Sequence, residues 1–236
     1  MARFPRWKFA FFLVVVASFV PGSVQAYVWP DDSIDELEEM LYNLAAGPAT
    51  DMRDCGGPPE FDSTGKSGRT NAADWLRTAF HDMATADVST GVGGLDASIA
   101  FELDRAENTG RAFNDTLVFF SQEHSVRASM ADIIALVAQA TAQMCSNGSI
   151  LVPFRGGRID ATEAGPSGVP EPQENITSHT TAFSRAGFNV TDMIGLVACG
   201  HSLGGVHHTD FPDIAVDLHD PVSPLPPSSG PAFYWC

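Results

Sequence analysis

Apolar residues recur at helical spacing along most of the chain. The clearest case is residues 71–86, where Trp75, Ala79 and Met83 lie four residues apart on one apolar stripe. Comparable patterns predict six further helices, at residues 33–45, 97–105, 116–124, 129–144, 177–186 and 191–203. No strand of substantial length is predicted. The fold class is therefore mainly α, and the chain is long enough to bury one sizeable core.

The two ends of the chain differ in composition from its middle. Three basic residues precede an apolar run at 9–20, which is too short to span a bilayer, and small residues follow up to Ala26. This order is typical of a signal peptide, which we assign to residues 1–26. Residues 213–236 are rich in proline and serine and predict an irregular tail. Between them, residues 27–212 are expected to form one exported, extracellular domain.

The charge of the chain limits its partners. The sequence has 13 basic and 29 acidic residues, for a formal net charge of -16. Removal of residues 1–26 takes away three basic and no acidic residues, so the charge becomes -19. Such a surface repels nucleic acid and anionic membranes. We therefore expect neither as a partner, and we expect a monomer.

Export also bears on the cysteines and on four possible glycosylation sites. The acceptor sequons begin at Asn114, Asn147, Asn175 and Asn189. Four cysteines allow three pairings, which the sequence leaves open. Cys55 and Cys145 flank helical segments in polar surroundings, whereas Cys199 lies in an apolar run, so we expect the pair Cys55–Cys145. No Cys-x-x-Cys pair suggests a thiolate metal site.

An arginine and a histidine lie four residues apart in the strongest helical pattern. Arg77 and His81 therefore share one helix face, and Asp82 directly follows the histidine. A permanent cation beside a base that titrates near neutrality suits an oxyanion and its proton. A solvated helix flank has the same spacing, so the pair alone does not establish a function.

A second histidine, His201, follows an apolar run at residues 193–200. A histidine at the end of such a run is commonly either a core residue or a metal ligand. The segments around the two histidines, residues 76–82 and 193–202, together resemble the plant, fungal and bacterial haem peroxidase superfamily, most closely its secreted fungal branch. The resemblance covers residues 71–212. It implies a helical fold that binds haem b.

The resemblance implies a role for each of these side chains. His81 is expected to move a proton between the oxygens of hydrogen peroxide, and Arg77 to stabilise the charge on the leaving oxygen. Phe80 is expected to pack against the haem. His201 is expected to bind the haem iron from the opposite side.

Asn108 is the residue that the resemblance pairs with His81, with Glu102 six residues before it. A histidine acting as a base must stay neutral and in one tautomer, which a hydrogen bond to its second nitrogen enforces. An isolated Asn-x-Gly is more often a turn. In register with the other motifs, Asn108 is expected to orient His81.

The resemblance also implies two calcium sites. Asp82 would join the segment Gly94-Leu95-Asp96-Ala97-Ser98, in which Asp96 and Ser98 can point the same way and the Gly94 carbonyl is unobstructed. An ordinary turn has a similar composition. Ser202 occupies the position of a ligand to the second calcium.

One competing motif overlaps His201. Residues 200–204 match Gly-x-Ser-x-Gly, the nucleophile elbow of α/β-hydrolases, with Ser202 as the nucleophile. That fold needs a strand before the serine and an acid and a histidine on later elements. Only 34 residues follow Ser202, without a convincing strand-helix unit. The hydrolase is therefore the weaker alternative.

The implied activity is that of a secreted haem peroxidase, which reduces hydrogen peroxide and oxidises small donors through a ferryl intermediate. The lignin-degrading branch has a tryptophan five residues before the proximal histidine, where this chain has Leu196. Long-range oxidation at that position is therefore not expected. A small, phenolic or similar reducing substrate is expected instead.

The resemblance ends at about Pro212. Family members continue with helices that supply an aspartate partner for the proximal histidine, whereas Asp217 and Asp220 lie in a proline-bounded loop. The chain therefore resembles a form truncated on the proximal side, with weak haem binding expected. The alternative function is an inactive, calcium-binding, peroxidase-like glycoprotein.

Overall fold

The computed structural model describes residues 71–121, 128–146, 148–200, 203, 206–207 and 222–223. The helices in this part are α1 (Asn71–Ala84), α2 (Ala112–Phe120), α3 (Met130–Cys145), α4 (Ile176–Arg185) and α5 (Val190–Gly200). Two short 3-10 helices, Ser98–Phe101 and Ala106–Asn108, lie between α1 and α2. Strands β1 (Val206–His207) and β2 (Val222–Ser223) form one antiparallel pair, with Val206 opposite Ser223. The mainly α fold class is confirmed.

The core forms where α1 packs against α2 and α3. Trp75 of α1 stacks on Phe119 at 5.5 Å between ring centroids and lies 5.6 Å from Phe120. Ile134 and Val137 of α3 are buried in the same cluster. Burial of an aromatic or aliphatic side chain contributes about 1.5–3 kcal/mol, so this cluster fixes the position of α1 and of its functional face.

Polar side chains start three of the helices. Ser129 accepts a hydrogen bond from the backbone N–H of Asp132 at 3.1 Å, as the sequence predicts for the start of α3. Asn175 caps α4 through Ser178 N–H at 3.0 Å. Asn189 and Asp192 accept hydrogen bonds from each other's backbone N–H groups and form a reciprocal cap on α5.

Carboxylates attach the segment after α3 to the start of that helix. Asp160 accepts hydrogen bonds from the N–H groups of Met130 and Ala131 at 3.0 and 2.8 Å. Asp132 accepts hydrogen bonds from Gly157 N–H and from Arg158, whose guanidinium lies 3.0 Å away. Residues 157–160 therefore fold back onto the first turn of α3, where negative charge is favoured.

Two of the sequence predictions within this part are wrong. The predicted helix at 97–105 is replaced by the 3-10 helix Ser98–Phe101 and a following turn, because its backbone hydrogen bonds, from Ala100 to Ala97 and from Arg105 to Glu102, join residues three apart. The helix predicted at 116–124 instead spans Ala112–Phe120. Asp115 lies in the first helical turn, where an acid is favourable.

Several predictions fall on residues that the structure does not describe. These are the signal peptide at 1–26, the helix at 33–45 and most of the tail at 213–236. Cys145 is disulfide-bonded, and its expected partner Cys55 also lies outside the described residues. Among the residues that are described, no helix has the length and apolar character needed to span a membrane.

Candidate active site

Arg77 and His81 lie on one face of α1, as their spacing predicts. Phe113 of α2 is fully buried and contacts both side chains: its ring lies 4.5 Å from the Arg77 guanidinium carbon and 4.7 Å from the His81 ring centroid. Arg77 also donates a hydrogen bond to the Thr109 carbonyl at 3.0 Å. The cation–π contact and this hydrogen bond hold the guanidinium beside the imidazole.

Asn108 fixes the tautomer of His81. Its Nδ2 donates to the Glu102 carbonyl at 2.9 Å, so its Oδ1 is the atom that faces Nδ1 of His81 at 2.8 Å. Because Oδ1 can only accept, Nδ1 of the imidazole carries the proton. The other ring nitrogen, Nε2, then keeps its lone pair and can act as a base.

The surroundings of His81 keep its imidazole neutral. Burial and, secondarily, the positive charge of Arg77 lower the pKa of His81 from 6.5 to about 3, although the hydrogen bond to Asn108 opposes the shift. Desolvation and a nearby cation both disfavour a protonated imidazole. His81 can therefore accept a proton at any pH well above 3.

Phe80 lies beside these groups. Its ring is 6.0 Å from the His81 ring in an edge-on arrangement and 6.2 Å from Phe183 of α4. Phe80 is half-buried. Its expected contact with haem stays a prediction.

Asp82 connects the site to the segment after α1. Its carboxylate oxygens accept hydrogen bonds from Ala97 N–H at 2.8 Å and Ile99 N–H at 3.0 Å. Asp96 accepts a hydrogen bond from Ser98 N–H at 3.1 Å, and the Gly94 carbonyl accepts one from Asp96 N–H at 2.9 Å. The structure thus joins the residues predicted for the first calcium site, with Asp82 near the end of α1 bonded to the loop that holds Gly94, Asp96 and Ser98.

The donor set in this loop fits a hard cation. Burial is the main reason that the pKa of Asp82 rises to about 7, and the negative charges of Asp96 and Glu102 add to the shift. The buried Ser98 Oγ has no hydrogen-bond partner among the described residues. Two mutually repelling carboxylates and an unsatisfied hydroxyl suit calcium. Within the described residues, no cluster of three or more histidine, cysteine, aspartate or glutamate side chains is arranged for a metal.

His201 and Ser202, the predicted proximal ligand and second calcium ligand, lie outside the described residues. The segment before them is α5, a helix that ends at Gly200. A nucleophile elbow requires a strand before its serine. The helix therefore removes the basis of the α/β-hydrolase alternative.

Sequence reasoning missed two residues that shape the site, Phe113 and Thr109. Both lie far from Arg77 in the sequence, 32 positions in the case of Thr109, and their contacts with it depend on how α2 packs. Phe113 lies before the predicted helix at 116–124, so the sequence pattern placed it neither in α2 nor beside Arg77. A cleft of about 650 Å³ lies elsewhere, against α4 near Gly168 and Arg185, and none of the predicted site residues that the structure describes lines it.

Comparison with known proteins identifies the family. The family description "Peroxidase" matches residues 60–228. The chain belongs to the peroxidase family. It is 35% identical to L-ascorbate peroxidase 5 of Arabidopsis thaliana over 152 residues, which are 61% of this chain and 52% of that protein. A versatile peroxidase of Pleurotus eryngii is 31% identical over 147 residues, 57% of this chain and 39% of that protein.

A further relative of this peroxidase-family chain has a different name. A WSC domain-containing protein of Arthroderma benhamiae is 46% identical over 205 residues, 86% of this chain and 28% of that protein. The chain spans about half the length of the ascorbate peroxidase and about a quarter of the WSC domain-containing protein. The resemblance to the haem peroxidase superfamily that the motifs indicated is confirmed.

Proposed function

We propose that this chain is a secreted, haem-dependent peroxidase that reduces hydrogen peroxide and oxidises small organic donors. The observation that carries the proposal is the orientation of His81. Its Nδ1 is bound to Asn108 at 2.8 Å, which leaves a neutral Nε2 beside the cation of Arg77. This pair matches what cleavage of an O–O bond requires, a base for one oxygen and a positive charge for the other.

Each residue has a defined task in the proposed reaction. Nε2 of His81 takes the proton from the inner oxygen of hydrogen peroxide and returns it to the outer oxygen, which leaves as water. Arg77 stabilises the negative charge that develops on that oxygen. Bound haem, held by His201, would supply the redox chemistry. The half-buried Phe80 would pack against the haem on the side of His81.

Substitution of His81 tests this function. In the haem-reconstituted chain, His81→Leu should slow the reaction with peroxide by at least ~10²-fold, since general acid-base help is lost. Stopped-flow absorbance measures this step. His179→Leu is the matched control, because His179 is a partly buried histidine on α4 that bonds to the Glu171 carbonyl at 2.8 Å and is absent from the proposed site. Equal rates for the parent and both variants would show that His81 has no such role.

The same experiment decides between activity and an inactive remnant. A chain that binds haem with the absorbance of a histidine-ligated iron and reacts with peroxide is an enzyme. A chain that folds but takes up no haem is the peroxidase-like glycoprotein. The distal arrangement of Arg77, His81 and Asn108 favours the enzyme.

Calcium is the second proposed ligand of the chain. Asp82 at the end of α1, together with Asp96, Ser98 and the Gly94 carbonyl of the following loop, supplies oxygen donors, which is the chemistry that calcium prefers. The unsatisfied Ser98 hydroxyl supports the proposal. Calorimetric titration of the chelator-treated chain tests it, and absence of binding by the parent chain would contradict it.

The proposed export predicts glycans on the exposed sequons. Asn175 and Asn189 are exposed, and their Oδ1 atoms cap helices, so each Nδ2 can carry a sugar while the cap is kept. Mass spectrometry of the chain expressed through a secretory pathway, before and after enzymatic deglycosylation, checks this. A secreted product with no glycan on either residue would contradict it.

A further inference from the structure

The segment at residues 165–168 lies on the turn that carries Asn108, and Arg105 joins the two. The guanidinium of Arg105 donates hydrogen bonds to the carbonyls of Gly165 at 2.5 Å and Pro166 at 3.2 Å. In the opposite direction, Gly165 N–H donates to the Glu102 carboxylate at 2.7 Å. The turn at 102–108 is therefore joined to residues 165–166 by a basic side chain, Arg105, and by an acidic one, Glu102.

The contact between the two segments leaves no spare room. A Cβ atom on Gly165 would lie 2.9 Å from Ser98 Oγ and 3.1 Å from Glu102 Oε1. Glu107 adds a further bond, since its carboxylate accepts from Gly168 N–H at 3.0 Å. Residues 165–168 therefore pack directly against Glu102.

Glu102 needs a cationic partner because its side chain is fully buried. Its Oε2 lies 3.2 Å from Arg105 Nη1, within ion-pair distance but without the geometry of a hydrogen bond. Removal of one partner from a buried ion pair leaves an uncompensated charge. The side chain of Arg105 therefore controls whether Glu102 stays in place.

The backbone of Arg105 closes the same turn. Its N–H donates to the Glu102 carbonyl at 3.0 Å, and its carbonyl accepts from Asn108 N–H at 2.9 Å. The Glu102 carbonyl also accepts from Asn108 Nδ2, the bond that turns the Asn108 oxygen toward His81. A shift of Arg105 thus moves the two oxygens that orient Asn108, which are the carbonyl oxygens of Glu102 and of Arg105 itself.

We propose that Arg105 is a positioning residue for His81, acting through the Glu102–Asn108 turn and the segment at 165–168. The proposal rests on the proposed function for its effect on the reaction, but not for its effect on the imidazole. Arg105 acts on the reaction and on the imidazole in the same way, by favouring the tautomer of His81 that carries its proton on Nδ1.

Nitrogen-15 NMR of the haem-free full chain with labelled histidine tests the effect on the imidazole. The spectrum distinguishes which ring nitrogen carries the proton, and the His81 signal is identified by its loss in His81→Leu. The parent chain should show mainly the Nδ1–H form. Arg105→Met should show a mixture of both tautomers. Arg111→Met is the matched control, because the Arg111 side chain is 78% exposed and pairs with Asp115 one helical turn away, so its spectrum should match the parent.

The reaction gives the second readout. With haem added, Arg105→Met should react with peroxide about 10–100-fold more slowly than the parent or Arg111→Met, because the base is misplaced. A folded Arg105→Met chain with the parent's His81 tautomer would overturn the proposal. If this variant does not fold, Arg105→Lys decides, since lysine keeps the charge but cannot span both carbonyls with a planar fork. A parent-like tautomer in Arg105→Lys would then overturn it.

The two readouts separate the two proposals. If the parent and His81→Leu react with peroxide at the same rate, the proposed function fails, whereas the tautomer comparison still decides the role of Arg105. If the tautomer does not respond to Arg105, the positioning role fails and the function of His81 is unaffected.

Discussion

His81 owes its chemical state to residues that lie far from it in the sequence. The spacing of Arg77 and His81 predicts their common face because a helix has 3.6 residues per turn. The resemblance supplied Asn108, and the hydrogen bond at 2.8 Å agrees with that expectation. The contacts of Phe113 and Arg105 could not be predicted, because a local sequence pattern does not indicate which distant side chain packs against a given helix or turn. Their placement depends on tertiary packing.

The lowered pKa of His81 predicts how the free energy of unfolding depends on pH. The folded pKa of about 3 lies below the ordinary value of 6.5, so the folded state binds fewer protons than the unfolded chain between these values. The contribution of His81 is therefore fully present above pH 6.5 and is lost as pH falls toward 3. Urea denaturation should show a steeper loss across this range in the parent than in His81→Leu. Identical pH slopes would contradict the shift.

The same pKa sets the acid limit of the proposed reaction. Because His81 accepts a proton only when neutral, the rate with peroxide should stay constant from neutral pH to well below 6.5 and fall near pH 3. Stopped-flow rates measured across this range check the prediction. A decline centred near pH 6.5 would show that the imidazole titrates as an ordinary histidine.

At the scale of elements, the long periodic segments were predicted more accurately than the connections. The pattern at 71–86 corresponds to α1, and the pattern at 129–144 corresponds to α3, which Ser129 caps. The prediction for 97–105 was wrong, since its apolar residues have helical spacing whereas its internal backbone hydrogen bonds join residues three apart, as from Ala100 to Ala97. Asp82 accepts hydrogen bonds from Ala97 and Ile99 N–H at the start of this segment, where even an α-helix would leave N–H groups without partners, so these bonds hold the turn in place.

Two glycines after α1 allow a matched test of this connection. Gly91 and Gly93 have φ values of 71° and 69°, but of the two only Gly93 is crowded: its added Cβ would lie 2.5 Å from the Thr85 carbonyl oxygen. Gly91→Ala should lower the free energy of unfolding by about 1–2 kcal/mol, the cost of a left-handed residue. Gly93→Ala should cost a further ~1–3 kcal/mol from the clash. Urea denaturation measures both, and equal losses would mean that the turn relaxes around the methyl group.

At the scale of the whole molecule, the described part is held together by bonds between segments distant in sequence. Arg185 at the end of α4 donates hydrogen bonds to the carbonyls of Ala84 and Gly168, and the Asp96 carbonyl accepts one from Ala161 N–H at 2.7 Å. These bonds connect the end of α1, the loop after it and the segment between α3 and α4. A ligand bound at the 94–98 loop would therefore stabilise much more than that loop.

Calcium should for this reason stabilise the molecule and its site together. Free calcium at about 100 times its dissociation constant adds about 2.7 kcal/mol to a fold that alone binds it. Removal by a chelator should therefore lower the melting temperature and also slow the peroxide reaction, because Asp82 adjoins His81 and both depend on the geometry of α1. Asp96→Asn should have the melting temperature of the chelator-treated parent whether or not calcium is present. Asp104→Asn changes an exposed acid outside the site, so its melting temperature should respond to calcium as that of the parent does. If chelation changes neither the melting temperature nor the peroxide rate of the parent chain, the calcium site is contradicted. The loop is then held by its own hydrogen bonds alone.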